Sequence, residues 1–136
     1  MTIPQHPLLP ARFERGVLHV TLNRPEARNA MTRDMVVAIR ALFEAIRDDR
    51  SVRVVVLRGA GGHFCAGGDL KEMLASGLKA PAEGEVDRVA ANSRDFGETM
   101  RIVGSAPQVV IAICEGAVLG GGFGLACVSD IAFAKV

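Results

Sequence analysis

With 136 residues, 49% of them apolar, and sixteen basic side chains against fifteen acidic, the chain has the material for one packed domain and a formal charge of +1. That composition excludes disorder as the overall state, and without a concentrated run of Lys or Arg there is no electrostatic footprint for nucleic acid or an anionic membrane. Cys65, Cys114 and Cys127 are odd in number and lack metal-ligand spacing, so they read as free thiols; with no leader-like start and no apolar run of membrane length, a cytoplasmic protein is expected.

After a lead punctuated by Pro4, Pro7 and Pro10, two short strands are expected at Arg12–Arg15 and Gly16–Leu22, the second alternating in polarity. His19, alone in that strand, is given no role. The stretch NRPEARNAMT reads as a loop, and Thr32 as the cap of a helix from Arg33 to about Asp48. Along it Met35, Val36, Ile39, Leu42, Phe43 and Ile46 recur at three- and four-residue intervals, which marks one buried face. Val52–Leu57 is a short, β-branched apolar run, as expected of a strand covered on both faces. Strand, helix and strand make a crossover unit.

RGAGGHFCAGGDLKEM begins where that strand ends. Gly61, Gly62, Gly67 and Gly68 allow sharp turns before helix-forming residues from Asp69 onward. A loop at the carboxyl end of a strand and leading into a helix is where α/β folds place ligands, although a purely structural turn has the same composition. Ser76–Gly84 reads as a linker. A helix from about Glu85 to Val103 follows, with Val89, Phe96, Met100 and Val103 on one packed face and Arg94 and Arg101 on a solvated one. Val109–Cys114 reads as a second buried strand. The final segment, Ser129–Val136, reads as a strand that stops without a closing element, as an α/β unit cut short would.

Between those last strands runs EGAVLGGGFGLACVSD, with Gly120, Gly121 and Gly122 consecutive at the head of a helix. Bare glycines carry no side-chain chemistry. They leave backbone N–H groups open at the positive end of a helix, where a ligand oxygen can approach without meeting a Cβ. Such donors suit an oxyanion developing on a carbonyl, because they are fixed before the charge appears.

FCAGGDL at 64–70, EGAVLGGGFGLACVSDIAFA at 115–134 and RPEARNAM at 24–31, in this order and spacing, resemble the crotonase, or enoyl-CoA hydratase/isomerase, family. The resemblance implies an α/β crotonase-like ββα spiral, of which residues 1–136 would form the N-terminal part of the core domain, apparently truncated. It implies an acyl-CoA substrate carried as a thioester, no other cofactor and no metal, and a homotrimer or hexamer. It places oxyanion donors at the N–H groups of Ala66 and Gly121. Ala66, Gly67, Gly68, Asp69, Leu70, Gly120 and Gly121, with Arg24 and Ala27, would line the path of the CoA and its thioester.

Asp69 and Asp130 are expected to cap or form turns rather than move protons. One departure concerns the chemistry: where the best-known hydratases of the family carry a glutamate, three residues after the second oxyanion glycine, this chain has Gly124. The family's other catalytic glutamate lies in a segment beyond Val136. Relatives acting on branched or carboxylated substrates, such as the isohexenylglutaconyl-CoA and methylglutaconyl-CoA hydratases, resemble the chain at this point. There Arg94 or Arg101 could meet a substrate carboxylate. Hydration of an enoyl-CoA is the leading expectation. Isomerisation, dehalogenase-like chemistry and acyl-CoA binding without turnover are the alternatives, the last being the expectation for the 136-residue chain by itself.

Overall fold

The computed structural model describes residues 2–77 and 80–136. Its sheet has five strands in chain order: β1 Ala11–Glu14, β2 Val17–Leu22, β3 Val54–Gly59, β4 Val109–Cys114 and β5 Ile131–Ala134. Only β1 and β2 run antiparallel, joined through Arg15 and Gly16, which both take left-handed φ. The other neighbours are parallel and need crossovers. These are supplied by α1 Arg33–Ile46, by α2 Leu70–Ala75 with α3 Arg88–Gly104, and by α4 Gly121–Val128.

The expected elements are present with shifted ends, each for a local reason. Thr32 caps α1 by accepting from the Met35 N–H at 3.2 Å, as anticipated. That helix stops at Ile46 rather than near Asp48, because the Asp49 N–H turns back onto the Ile46 carbonyl. β3 begins at Val54, not Val52, whose N–H is committed to the Asp49 carbonyl in the preceding turn. α3 starts at Arg88 rather than Glu85, where the Asp87 carboxylate accepts from the Ala90 N–H at 3.0 Å. The Ser76–Gly84 linker holds no helix or strand among its described residues; 78 and 79 lie outside them.

One face of the sheet is covered. Leu18, Val20 and Leu22 of β2, Val55 and Leu57 of β3, and Val110 and Ala112 of β4 pack against Met35, Ile39, Leu42, Phe43 and Ile46 of α1. Ile102 and Val103 of α3 and Leu125 and Ala126 of α4 complete that core. The expectation that β3 and β4 are covered on both faces is not met within this chain. The core takes its helical residues from α1, α3 and α4 on one side of the sheet, and the alternate residues Val54, Val56, Ile111 and Ile113 stay partly open. On β5, in register with Ile111 and Ile113, Ile131 and Phe133 are 45% and 58% exposed.

Cys65 and Cys114 are buried, Cys127 is exposed, and all three are free. Burial raises the pKa of the Cys65 and Cys114 thiols, which keeps them protonated and unreactive. No helix of the described residues is long and apolar enough to cross a membrane.

Candidate active site

Three loops leave the carboxyl ends of β2, β3 and β4 and are laced together side by side. The middle one behaves almost as a strand. The Phe64 and Cys65 N–H groups donate to the Glu115 and Ala117 carbonyls at 2.8 and 3.0 Å, and the Leu119 N–H donates back to Cys65 at 3.0 Å. On its other side the Met31 N–H donates to the Gly67 carbonyl at 2.7 Å and the Asp69 N–H to Met31 at 3.0 Å. Gly67 is buried with φ of +99°, and a Cβ there would lie 3.0 Å from the Leu119 carbonyl oxygen. Only glycine fits a backbone this close in this conformation.

Asn29 is the pin of the assembly. It is fully buried in a left-handed conformation, accepts from the Arg24 N–H at 2.8 Å, and donates to the Ala60 and His63 carbonyls at 2.8 and 2.7 Å. His63 carries the connection onward, its Nδ1 accepting from the Ala117 N–H at 2.9 Å. In the sequence the two asparagines marked only a loop. Nothing local reveals that one of them bonds 31 and 34 residues away.

This lacing decides which amides remain for a ligand. The Ala66 N–H donates to the Arg28 carbonyl at 3.0 Å, so it is already satisfied by the chain and unsuited to the oxyanion role the resemblance implied. Two residues on, Gly68 is exposed, and among the described residues its N–H has no protein acceptor. The Gly121 N–H is in the same state at the first position of α4, whose eight residues direct their positive end at it. Gly68 and Gly121 both line a cleft of about 360 Å³, walled chiefly by Met31, Val36, Met73, Val89 and Phe96.

The other expected site residues divide. Asp69 borders the cleft, but its carboxylate caps α2 by accepting from the Glu72 N–H at 2.8 Å and pairs with Arg24 at 3.0 Å. Arg24 also donates to the Ala30 carbonyl at 2.6 Å, so its charge is spent within the loop, and neither it nor Ala27 of the 3-10 turn Pro25–Ala27 reaches the cleft. Gly67 faces Leu119 rather than the cleft. Leu70, 72% exposed, and Gly120 point elsewhere. Arg101 is paired with Glu98 at 2.6 Å and, like Arg94, does not border the cleft, which removes both as partners of a substrate carboxylate there. Asp130 accepts from the Val110 N–H at 2.7 Å, a turn-forming role as expected.

The capping bond from Glu72, together with Arg24, holds the Asp69 carboxyl below the ordinary carboxylate range. A depressed pKa contributes stability above the unfolded value, near pH 4, and that contribution disappears as the pH falls through the folded value. Asp69→Ala is therefore expected to cost about 0.5–2 kcal/mol at neutral pH, the usual range for a lost cap. Thermal melts of the two proteins should converge as the solution is acidified below pH 4.

The carboxylates around the cleft are all engaged. Asp69 is held as described, Asp95 is paired with Arg40 at 3.5 Å, and Glu72 accepts from the Arg33 N–H at 3.0 Å, tying α2 to the start of α1. At Gly124 a Cβ would find nothing nearer than Phe96 at 3.7 Å. The site is a pair of main-chain donors beside an apolar cleft, and each carboxylate that lines it, Asp69, Glu72 and Asp95, has a partner among the described residues.

The family model for enoyl-CoA hydratase/isomerase matches residues 12–135. The chain belongs to the enoyl-CoA hydratase/isomerase family. Among curated members it is 39% identical over 124 residues to the mitochondrial Delta(3,5)-Delta(2,4)-dienoyl-CoA isomerase of Mus musculus, a match covering 88% of this chain and 38% of that one. Among solved structures, Pseudomonas aeruginosa AtuE is 51% identical with a TM-score of 0.87, covering 94% of this chain and 48% of the other. An enoyl-CoA hydratase/isomerase from Marinobacter aquaeolei is 49% identical with a TM-score of 0.87, covering 93% and 48%. The chain thus spans less than half the length of these enoyl-CoA hydratase/isomerase relatives, and its sheet and helices have the crotonase fold.

Proposed function

We propose that the protein binds an enoyl-CoA thioester with its carbonyl oxygen between the Gly68 and Gly121 N–H groups and catalyses hydration of the conjugated double bond. The single observation that carries this reading is that these two amides, and not that of Ala66, are left without acceptors in one cleft. As water adds at Cβ, electron density moves through Cα onto the thioester oxygen, and two preorganised donors stabilise the enolate. Losing one such donor typically costs ~10²–10³-fold in rate. The donor assignment thereby moves from Ala66 to Gly68 and stays with Gly121. Proton transfer is assigned to no residue of this chain, because Gly124 has no acid and Asp69, Glu72 and Asp95 serve structural bonds.

Migration of a double bond uses the same enolate and is the second reading, favoured by the similarity to a dienoyl-CoA isomerase. We place the CoA moiety, with the Arg24–Ala27 turn and Leu70 along its path, outside the cleft, and propose a homo-oligomer as the working state. Ultraviolet absorbance separates the reactions. Hydration removes the conjugated enoyl band, whereas bringing a 3,5-diene into conjugation with the thioester creates one at longer wavelength. A flat trace with tight calorimetric binding of a saturated acyl-CoA identifies a binding protein; no absorbance change and no binding would overturn the thioester reading.

A further inference from the structure

Phe96 lies where the cleft meets the oxyanion donors. A methyl group placed on Gly121 would come within 3.0 Å of Phe96 Cζ and 2.9 Å of Met31 Cε, so a ring edge and a thioether close in on the residue that carries the free amide. The same ring edge reaches the Gly124 position at 3.7 Å and so covers the first turn of α4.

Phe96 is also held there. Arg40 of α1 donates to the Asp95 carbonyl at 2.7 Å and through Nε to the Thr99 hydroxyl at 3.2 Å, and that hydroxyl donates to Asp95 at 2.8 Å. Thr99 is fully buried. The helical turn bearing Phe96 is thus fastened to α1 on both sides of the ring. Farther from the amides the cleft opens, with Val37 and Val89 on its walls 51% and 46% exposed.

We propose that Phe96 is a specificity-determining residue that admits acyl groups unbranched at the carbon next to the thioester carbonyl and rejects those carrying a substituent there, while branching farther along is tolerated. The inference rests on the thioester reading above. With the carbonyl oxygen on the Gly121 amide, the adjoining carbon is one bond past the carbonyl carbon and comes next to the part of the cleft wall that Met31 and Phe96 form. The β carbon and beyond reach the open part.

The test compares calorimetric dissociation constants of butyryl-CoA and its α-branched isomer isobutyryl-CoA, with isovaleryl-CoA as the β-branched control. The wild-type chain is expected to prefer butyryl-CoA over isobutyryl-CoA by about tenfold or more, the scale on which one misplaced methyl group is felt in an apolar pocket. Isovaleryl-CoA should bind like butyryl-CoA. In Phe96→Ala the preference should fall to about twofold, and Phe96→Leu, which keeps apolar contact with α4, should fall between. Wild type binding both isomers alike, or either folded variant keeping the full preference, overturns the role of Phe96. Wild type binding no CoA thioester overturns the reading beneath it as well.

Discussion

Gly122→Ala is expected to separate the two glycine loops and weaken acyl-CoA binding, although it adds a single methyl group to a helix. Gly122 is buried, and its new Cβ would lie 2.4 Å from the Cys65 carbonyl oxygen and 2.6 Å from Cys65 Cβ. Neither atom can swing away, because Cys65 is itself bonded to Ala117 and Leu119 on the strand-like middle loop. Overpacking of this kind typically costs about 1–3 kcal/mol, and the upper end is expected where backbone must give way. At ~4 °C per kcal/mol for a domain of this size, the melting temperature should fall by about 10 °C. Since α4 must move away from the 64–68 segment, Gly68 and Gly121 are drawn apart across the cleft, and butyryl-CoA affinity should drop at least ~tenfold, or about 1.4 kcal/mol. Gly124→Ala is the control two residues along the same helix. Its Cβ meets only ordinary contact with Phe96 at 3.7 Å, and replacing a helical glycine should stabilise by up to ~1 kcal/mol.

Asn29→Ala is expected to be more damaging still. The substitution leaves the half-buried Arg24 N–H and the Ala60 and His63 carbonyls without their partner, and it asks alanine to hold a left-handed φ of 58°. Each buried polar group left unsatisfied costs ~1–3 kcal/mol, and the conformation roughly 1–2 kcal/mol for a residue other than glycine or asparagine. With partial relaxation, a loss of about 3–5 kcal/mol by urea denaturation is expected. Asn29→Gly should recover roughly 1 kcal/mol of that, the backbone part alone. Asn29→Asp should not recover the rest, since a carboxylate would face two carbonyl oxygens where the amide donates.

These two residues show what a sequence can and cannot disclose about this fold. The α1 stripe from Met35 to Ile46, the Thr32 cap and the alternation of β2 follow from local periodicity and capping chemistry, and they are where the pattern places them. Gly121 at the head of α4 was legible for the same reason, a bare glycine run before a helix. The free amide at Gly68 was not. Whether Ala66 or Gly68 offers its N–H depends on a bond from Ala66 to Arg28, which lies in a loop after a different strand, and glycine content alone marks the whole segment equally. Phe96 read as one more member of a packed stripe. Its ring borders a cleft beside the turn that Arg40 fastens to α1, and no periodicity encodes that. The half-covered sheet was equally hidden, since β-branched runs look alike whether one face or both are buried.

In the proposed complex Gly68 and Gly121, and not Ala66, donate to one thioester oxygen. A titration of the 15N-labelled chain with butyryl-CoA, followed by amide proton shifts, tests it most directly. The Gly68 and Gly121 amide protons should move downfield together and saturate with one dissociation constant, while Ala66, bonded to Arg28 throughout, stays in place. Movement of Ala66 with Gly68 stationary, or two glycine responses with different saturation points, would contradict the account.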